Sequence, residues 1–225
     1  MKLLHIDSSI TGAHSVSRQL SRSIVAQLQR DGAELEVRYR DLAAQPVPQL
    51  SPKLQFAKLL QQHAQGTLAG EPAAMIGAAV AAGAKADPQA LAELETANAA
   101  LQQFLEADVI VIGAPMYNFA IPVQLKAWLD CVAAPGKTFS YSASGVQGLA
   151  GAKRVIIASA RGGLYLAPSP MAALDHQESY LQGFFGFIGV TDLQIVRAEG
   201  LNLGGQQRLD AIDAALGQTA ALALA

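Results

Sequence analysis

Three short, almost unbroken apolar runs stand out along the chain: KLLHID at 2–7, VIVIGA at 109–114 and RVIIAS at 154–159. Runs of this length without polar alternation suit strands whose two faces are both covered by helices, as in a parallel sheet. Two weaker runs, LEVRY at 35–39 and LQIVR at 193–197, predict two more strands. Between them the apolar spacing changes to that of a helix. Leu20, Ile24, Val25 and Leu28 share one face of 17–30. Leu91, Leu94, Leu101 and Leu105 mark a helix over 88–106, behind an Asp87-Pro88 start signal. Pro122 opens another over 122–133, with Leu125, Trp128, Leu129 and Val132 at helical spacing. Two further helices are expected near 171–187 and over 205–222.

Strands alternating with helices point to an α/β, doubly wound sheet. Five parallel strands fit the flavodoxin-like order 2-1-3-4-5, which puts a ligand at the carboxyl ends of the strands near the first and third. The stretch between the second and third strands is long. Its middle, GTLAGEPAAMIGAAVAAGAKADP at 66–88, is rich in Ala and Gly with little periodicity. It reads as a partly helical insertion within a single domain over 1–225.

Composition narrows the function classes. The 225 residues carry a net charge of -2, with 51% hydrophobic and 15% charged residues. That is enough chain to bury a sizeable core. No clustered basic surface is indicated, so neither nucleic acid nor a membrane surface is an expected partner. The run AAMIGAAVAA at 73–82 falls well short of the roughly 20 residues of a membrane helix, and MKLLHIDSS is too short in its apolar part for a signal peptide. The single cysteine, Cys131, cannot form an internal disulfide, which favours a reducing, cytoplasmic setting. His5, His14, His63 and His176 lack metal-ligand spacing, so no metal is expected, and there is no G-x-S-x-G nucleophile elbow.

Three loops carry the candidate chemistry. The first, DSSITGAHSVSRQLS at 7–21, crowds Ser8, Ser9, Thr11, Ser15 and Ser17 into the turn before a helix. Hydroxyls, free N–H groups and the helix dipole together suit a phosphate, and Arg18 would add charge. Ser15 or Ser17 would equally serve as a plain helix cap. The dinucleotide fingerprint G-x-G-x-x-G is absent here, since Gly12 stands alone. Gly136-Lys137-Thr138 looks like the end of a P-loop, but Cys131 stands where its first glycine belongs and no buried strand precedes it. A mononucleotide remains, and FMN suits it.

The second loop is Met116-Tyr117-Asn118-Phe119, after the third strand. Two aromatics and a methionine would wall a flat ring, with Asn118 or backbone at its polar edge; alternatively they pack under a neighbouring helix. The third is Arg161-Gly162-Gly163, after the fourth strand. Its glycines permit close backbone approach, and Arg161 would stabilise negative charge on a reduced flavin. All three loops fall at adjacent strands of the expected order. The aromatic segment YLQGFFGFIG at 180–189 is mostly core, with one ring available to a substrate pocket.

These strings together resemble the FMN-dependent NADH-azoreductase family, a branch of the flavodoxin-like quinone reductases. The resemblance runs over nearly the whole chain and rests on SSITGAHSVSRQLS, PMYNFAIPVQLKAWLD, ARGG and YLQGFFGFIGVTD. It implies that Ser9, Ser15, Val16 and Ser17 contact the FMN phosphate and ribityl chain. It also implies that Met116, Tyr117, Asn118, Phe119, Ala160, Arg161, Gly162 and Gly163 contact the isoalloxazine. Ala160 stands where the family usually has serine. Phe119, Tyr180 and Phe184 become candidates for the substrate pocket. The family's homodimers, with the flavin site at the interface, imply that 50–65, the insertion or 180–187 wall a partner's pocket. The implied chemistry is ping-pong. NADH or NADPH passes a hydride to the flavin and leaves, and a quinone or azo compound then receives it, with no obligatory catalytic acid or base on the protein. Two other readings share the fold: an electron carrier or redox-sensing module without NAD(P)H turnover, and a flavin-free binding protein.

Overall fold

In the computed structural model, which describes residues 1–30, 34–143 and 145–223, strands and helices alternate as the apolar pattern predicts. Strands β1 (Lys2–Asp7), β2 (Glu36–Asp41), β3 (Val109–Pro115), β6 (Arg154–Ala160) and β7 (Asp192–Ala198) form one parallel sheet in the order β2-β1-β3-β6-β7. Counting only the strands of this sheet, that is the expected order 2-1-3-4-5. The labels shift because β4 (Phe139–Ser142) and β5 (Gly145–Gly148) form a separate antiparallel hairpin that the sequence pattern does not announce.

The central strands are apolar throughout because their alternate residues serve two cores. Helices α1 (Val16–Arg30) and α7 (Gly205–Ala220) cover one face, packing Leu20, Ile24 and Leu28 onto Leu3, Val111 and Ile156. Helices α4 (Pro88–Glu106), α5 (Val123–Val132) and α6 (Glu178–Phe187) cover the other, where Phe104, Trp128 and Phe185 pack with Leu4, Ile112 and Ile157. Pairing at Leu3↔Val109 and Val109↔Arg154 brings the carboxyl ends of β1, β3 and β6 to one edge. Gly113 in β3 has a local reason. A Cβ there would lie 2.3 Å from the Asp7 Oδ1 of the neighbouring strand.

Between β2 and β3, helix α2 (Pro52–Ala64), capped by Ser51, packs Leu54 and Ala57 against Ala90 and Leu94 of α4. The Ala/Gly-rich 66–88 stretch contains helix α3 (Gly70–Ala81), which buries Ile76 and leaves Met75 and Val80 exposed. The helix expected near 171–187 is shorter: 164–177 is a loop with one 3₁₀ turn at Ala172–Leu174, and α6 begins only at Glu178. Pro168 and Pro170 cannot donate backbone hydrogen bonds. The Asp175 carboxylate then accepts from the N–H groups of Gln177 and Glu178, which starts the helix there. The P-loop look-alike is a turn: Thr138 Oγ1 donates to Val132 O at 2.8 Å and accepts from Ala134 N, closing off α5. Among the described residues no helix is long and apolar enough to cross a membrane.

Candidate cofactor cleft

The serine loop is held from several sides as it leaves β1. Ser8 donates from both N and Oγ to Gly113 O, at 3.2 and 2.7 Å, tying the chain beyond β1 to β3. Ser9 Oγ shares hydrogen bonds with Thr11 Oγ1 at 3.0 Å and with the Tyr117 hydroxyl at 3.1 Å, and Ile10 N donates to the same hydroxyl. Tyr117 therefore ties the serine loop to the aromatic loop, a role the sequence pattern does not show. Ser15 Oγ accepts from Arg18 N and shares a bond with Ser17 Oγ at 3.0 Å, so Ser15 does cap α1. The first N–H groups of a helix have no partners within it, and those of α1 open beside these hydroxyls.

Arg18 was expected to lend its charge to a phosphate. Its guanidinium instead makes two 2.7 Å hydrogen bonds to Asp41, donates to Tyr39 OH at 3.0 Å and holds Ser9 O at 2.7 Å. The charge is balanced, and the side chain positions the loop. Hydrogen bonds from Arg18 hold the Asp41 carboxyl below its ordinary pKa. Beneath lies Asp7, fully buried. Burial alone would push its carboxyl up. His5 at 3.7 Å, with hydroxyls of Ser21 at 2.7 Å and Tyr39 at 3.0 Å, outweighs this and holds it below the usual range.

The aromatic loop is a tight reverse turn. Tyr117 and Ala120 exchange backbone hydrogen bonds at 2.9 and 3.1 Å, with Asn118 at φ 48° and Phe119 at φ 73° between them. Left-handed backbone at residues other than glycine costs about 1–2 kcal/mol each. The turn is held from outside by His176 N donating to Phe119 O, and its Phe119 ring meets Tyr165 edge-on at 6.3 Å. Phe119 stays 41% exposed, which sets it apart from a core aromatic.

The third loop corrects another expectation. Arg161 is fully buried and faces Asp175 at 2.5 Å and Glu178 and Glu199 at 3.1 Å each, so its charge is not free for a ligand. What the loop offers the cleft is backbone. Gly162 O accepts from Asn202 N at 3.0 Å, and a Cβ on Gly162 would lie 2.5 Å from Asn202 Nδ2. Ala160 O accepts from Met116 N at 2.8 Å, joining the second and third loops.

The three loops do meet. Ser9, Ser15, Val16, Ser17, Met116, Tyr117, Ala160, Arg161 and Gly162 line one cavity of ≈ 380 Å³. A second, of ≈ 400 Å³, shares Met116, Gly162 and Asn202 with it and adds Asn118, Phe119, Gly163, Tyr165 and Leu203. Tyr180 lines a third, apolar cavity of ≈ 650 Å³ with Ala120, Ile121, Val123, Lys126, His176 and Ser179. Phe184 instead sits half-buried on the core between the Tyr180 and Phe185 rings. Thr11 of the serine loop lines the first cavity too, as do Leu201, Asn202 and Arg208, which the sequence pattern does not single out. The signal for the last three was their place after the fifth sheet strand, at the ligand edge of a doubly wound fold.

A parallel sheet in this order, with its cleft at the carboxyl edge, defines the flavodoxin-like class. The chain belongs to that family, described as a flavodoxin-like fold, whose pattern matches residues 1–222. More particular likenesses lie within it. The chain is 50% identical over 223 residues to an FMN-dependent NADH:quinone oxidoreductase of Bradyrhizobium sp., covering 99% of this chain and 100% of that one. It is 47% identical over 212 residues to one of Sinorhizobium medicae, covering 94% and 92%. Among solved structures it resembles the azoreductase of Bacillus anthracis str. Sterne, with a TM-score of 0.79, 28% identity and coverage of 98% and 97%.

Proposed function

We propose that this chain is an FMN-dependent oxidoreductase that carries hydride from NADH to quinones and azo compounds. The observation that carries the reading is the joined cleft, with hydroxyls and a helix start at one end and the exposed Phe119 beside half-buried Tyr165 at the other. Its donor set fits FMN, since among the described residues no carboxylate lines the first cavity to oppose a phosphate. Relatives of the same length, about half identical and named for this reaction, support it.

When bound, FMN supplies two-electron redox chemistry between a nicotinamide and an acceptor. The chain's share is placement. Ser9, Ser15, Val16 and Ser17 hold the phosphate and ribityl chain. The backbone of Ala160, Arg161, Gly162 and Gly163 approaches the ring closely, without help from the Arg161 charge. Met116, Tyr117, Asn118 and Phe119 wall the ring, and the strained turn keeps Phe119 facing the flat partners that exchange there. No side chain is assigned a proton, which comes from solvent.

The rest of the proposal concerns assembly. The chain acts as a single domain in a cytoplasmic homodimer, with the flavin site at the interface and Tyr180 toward the substrate. The open apolar cavity beside Tyr180 and the exposed Met75 and Val80 of the 66–88 segment support a second copy as a wall. The test is the visible spectrum of the purified protein. A flavin band that NADH bleaches and a quinone restores is expected. Protein that is colourless, and stays so after incubation with FMN, overturns the reading.

A further inference from the structure

Three arginines surround the serine-loop end of the cleft, and two are neutralised. Arg18 is paired to Asp41 through both Nη atoms, and Arg161 faces three carboxylates. The third, Arg208, stands in the first turn of α7 and lines the same cavity as Ser15 and Ser17. Among the described residues it has no carboxylate partner. Its side-chain hydrogen bond among the described residues is long, 3.4 Å from Nη1 to Leu201 O. Helices α1 and α7 follow parallel strands on the same face and touch along their length, with Ser23 and Thr219 hydroxyls at 2.9 Å. Both helices therefore begin at the ligand edge, and Arg208 lines the cavity that Ser15, Val16 and Ser17 line at the start of α1.

A half-buried guanidinium beside a cavity that no carboxylate of the described residues lines has no matching anion, and it gains from one that enters the cavity. We propose that Arg208 is the counter-ion of the FMN phosphate, supplying the charge that Arg18 and Arg161 do not; this rests on the FMN reading above. A guanidinium fork matches phosphate oxygens through paired N–H donors and brings a positive charge, where the serines are neutral donors.

Riboflavin, which lacks the phosphate, separates this role from a structural one. The flavin-free full chain, Arg208→Gln and Arg208→Lys are titrated with FMN and with riboflavin, followed by flavin fluorescence quenching. Arg208→Gln should weaken FMN binding roughly 10- to 100-fold, the loss expected for a hydrogen-bonded charge, and leave riboflavin binding unchanged. Arg208→Lys should fall between, and added salt should weaken FMN binding to the native chain more than to Arg208→Gln. Unchanged FMN affinity, or equal losses for both flavins, overturns the assignment of Arg208 while the cofactor reading stands. A native chain that binds neither flavin overturns both.

Discussion

Replacing Asp41 with asparagine removes one charge while nearly preserving the side chain's shape. In the native chain Asp41 accepts from both Nη atoms of Arg18 at 2.7 Å, and the Arg18 side chain is only 6% exposed. Removing one member of a buried ion pair typically costs about 3–5 kcal/mol, because the other charge is left alone. Two features soften this. The Asp41 side chain is 23% exposed, and Asp7 remains 3.7 Å from the same guanidinium. A loss of about 2–3 kcal/mol at neutral pH is therefore expected. The sign with pH follows from the depressed Asp41 pKa. The pair contributes fully above the unfolded carboxyl's value of about 4 and loses that contribution as pH falls through the lower folded value. Urea unfolding of native and Asp41→Asn protein should thus differ most near neutrality and converge below pH about 4. FMN affinity should fall too, since Arg18 also anchors Ser9 O. A difference below about 0.5 kcal/mol at neutral pH, the size of an ordinary surface substitution, would refute the clamp. So would a difference that stays constant into acid.

Three further variants probe other parts. Replacing Ser15 and Ser17 together with alanine should weaken FMN binding by roughly 1–3 kcal/mol, measured by titration; unchanged affinity returns both to plain capping. Phe119→Ala should shift KM or preference among quinones with little change in Tm, because its ring is 41% exposed. A large fall in Tm with normal kinetics would make it a core residue. Gly113→Ala forces a methyl to 2.3 Å from Asp7 Oδ1. Overpacking of this kind costs about 1–3 kcal/mol, read from the urea midpoint, and native-like stability would contradict the placement of Asp7.

Much of the architecture was legible in the chain itself, because local chemistry dictates it. Two-sided burial writes VIVIGA and RVIIAS as unbroken apolar runs, and the Asp87-Pro88 start appears in the structure as the cap it resembles. The three loops could be found because strand order alone sends their ends to one edge. Elements without such a signature were not legible. The β4–β5 hairpin is short and largely polar or exposed, and the start of α6 depends on Asp175 reaching forward to two N–H groups.

The balance of charge lay wholly beyond the sequence. Arg18 and Arg161 stand in the right loops to serve an anion, yet Asp41 and the trio Asp175, Glu178 and Glu199 reach them from other elements. Arg208, some two hundred residues from the serine loop in sequence, lines the same cavity and has no carboxylate partner among the described residues. Spacing along a chain sets which side chains share a face. Which charges are already matched is set by distances of a few ångströms between elements far apart in sequence, and those exist only once the sheet and its helices have packed.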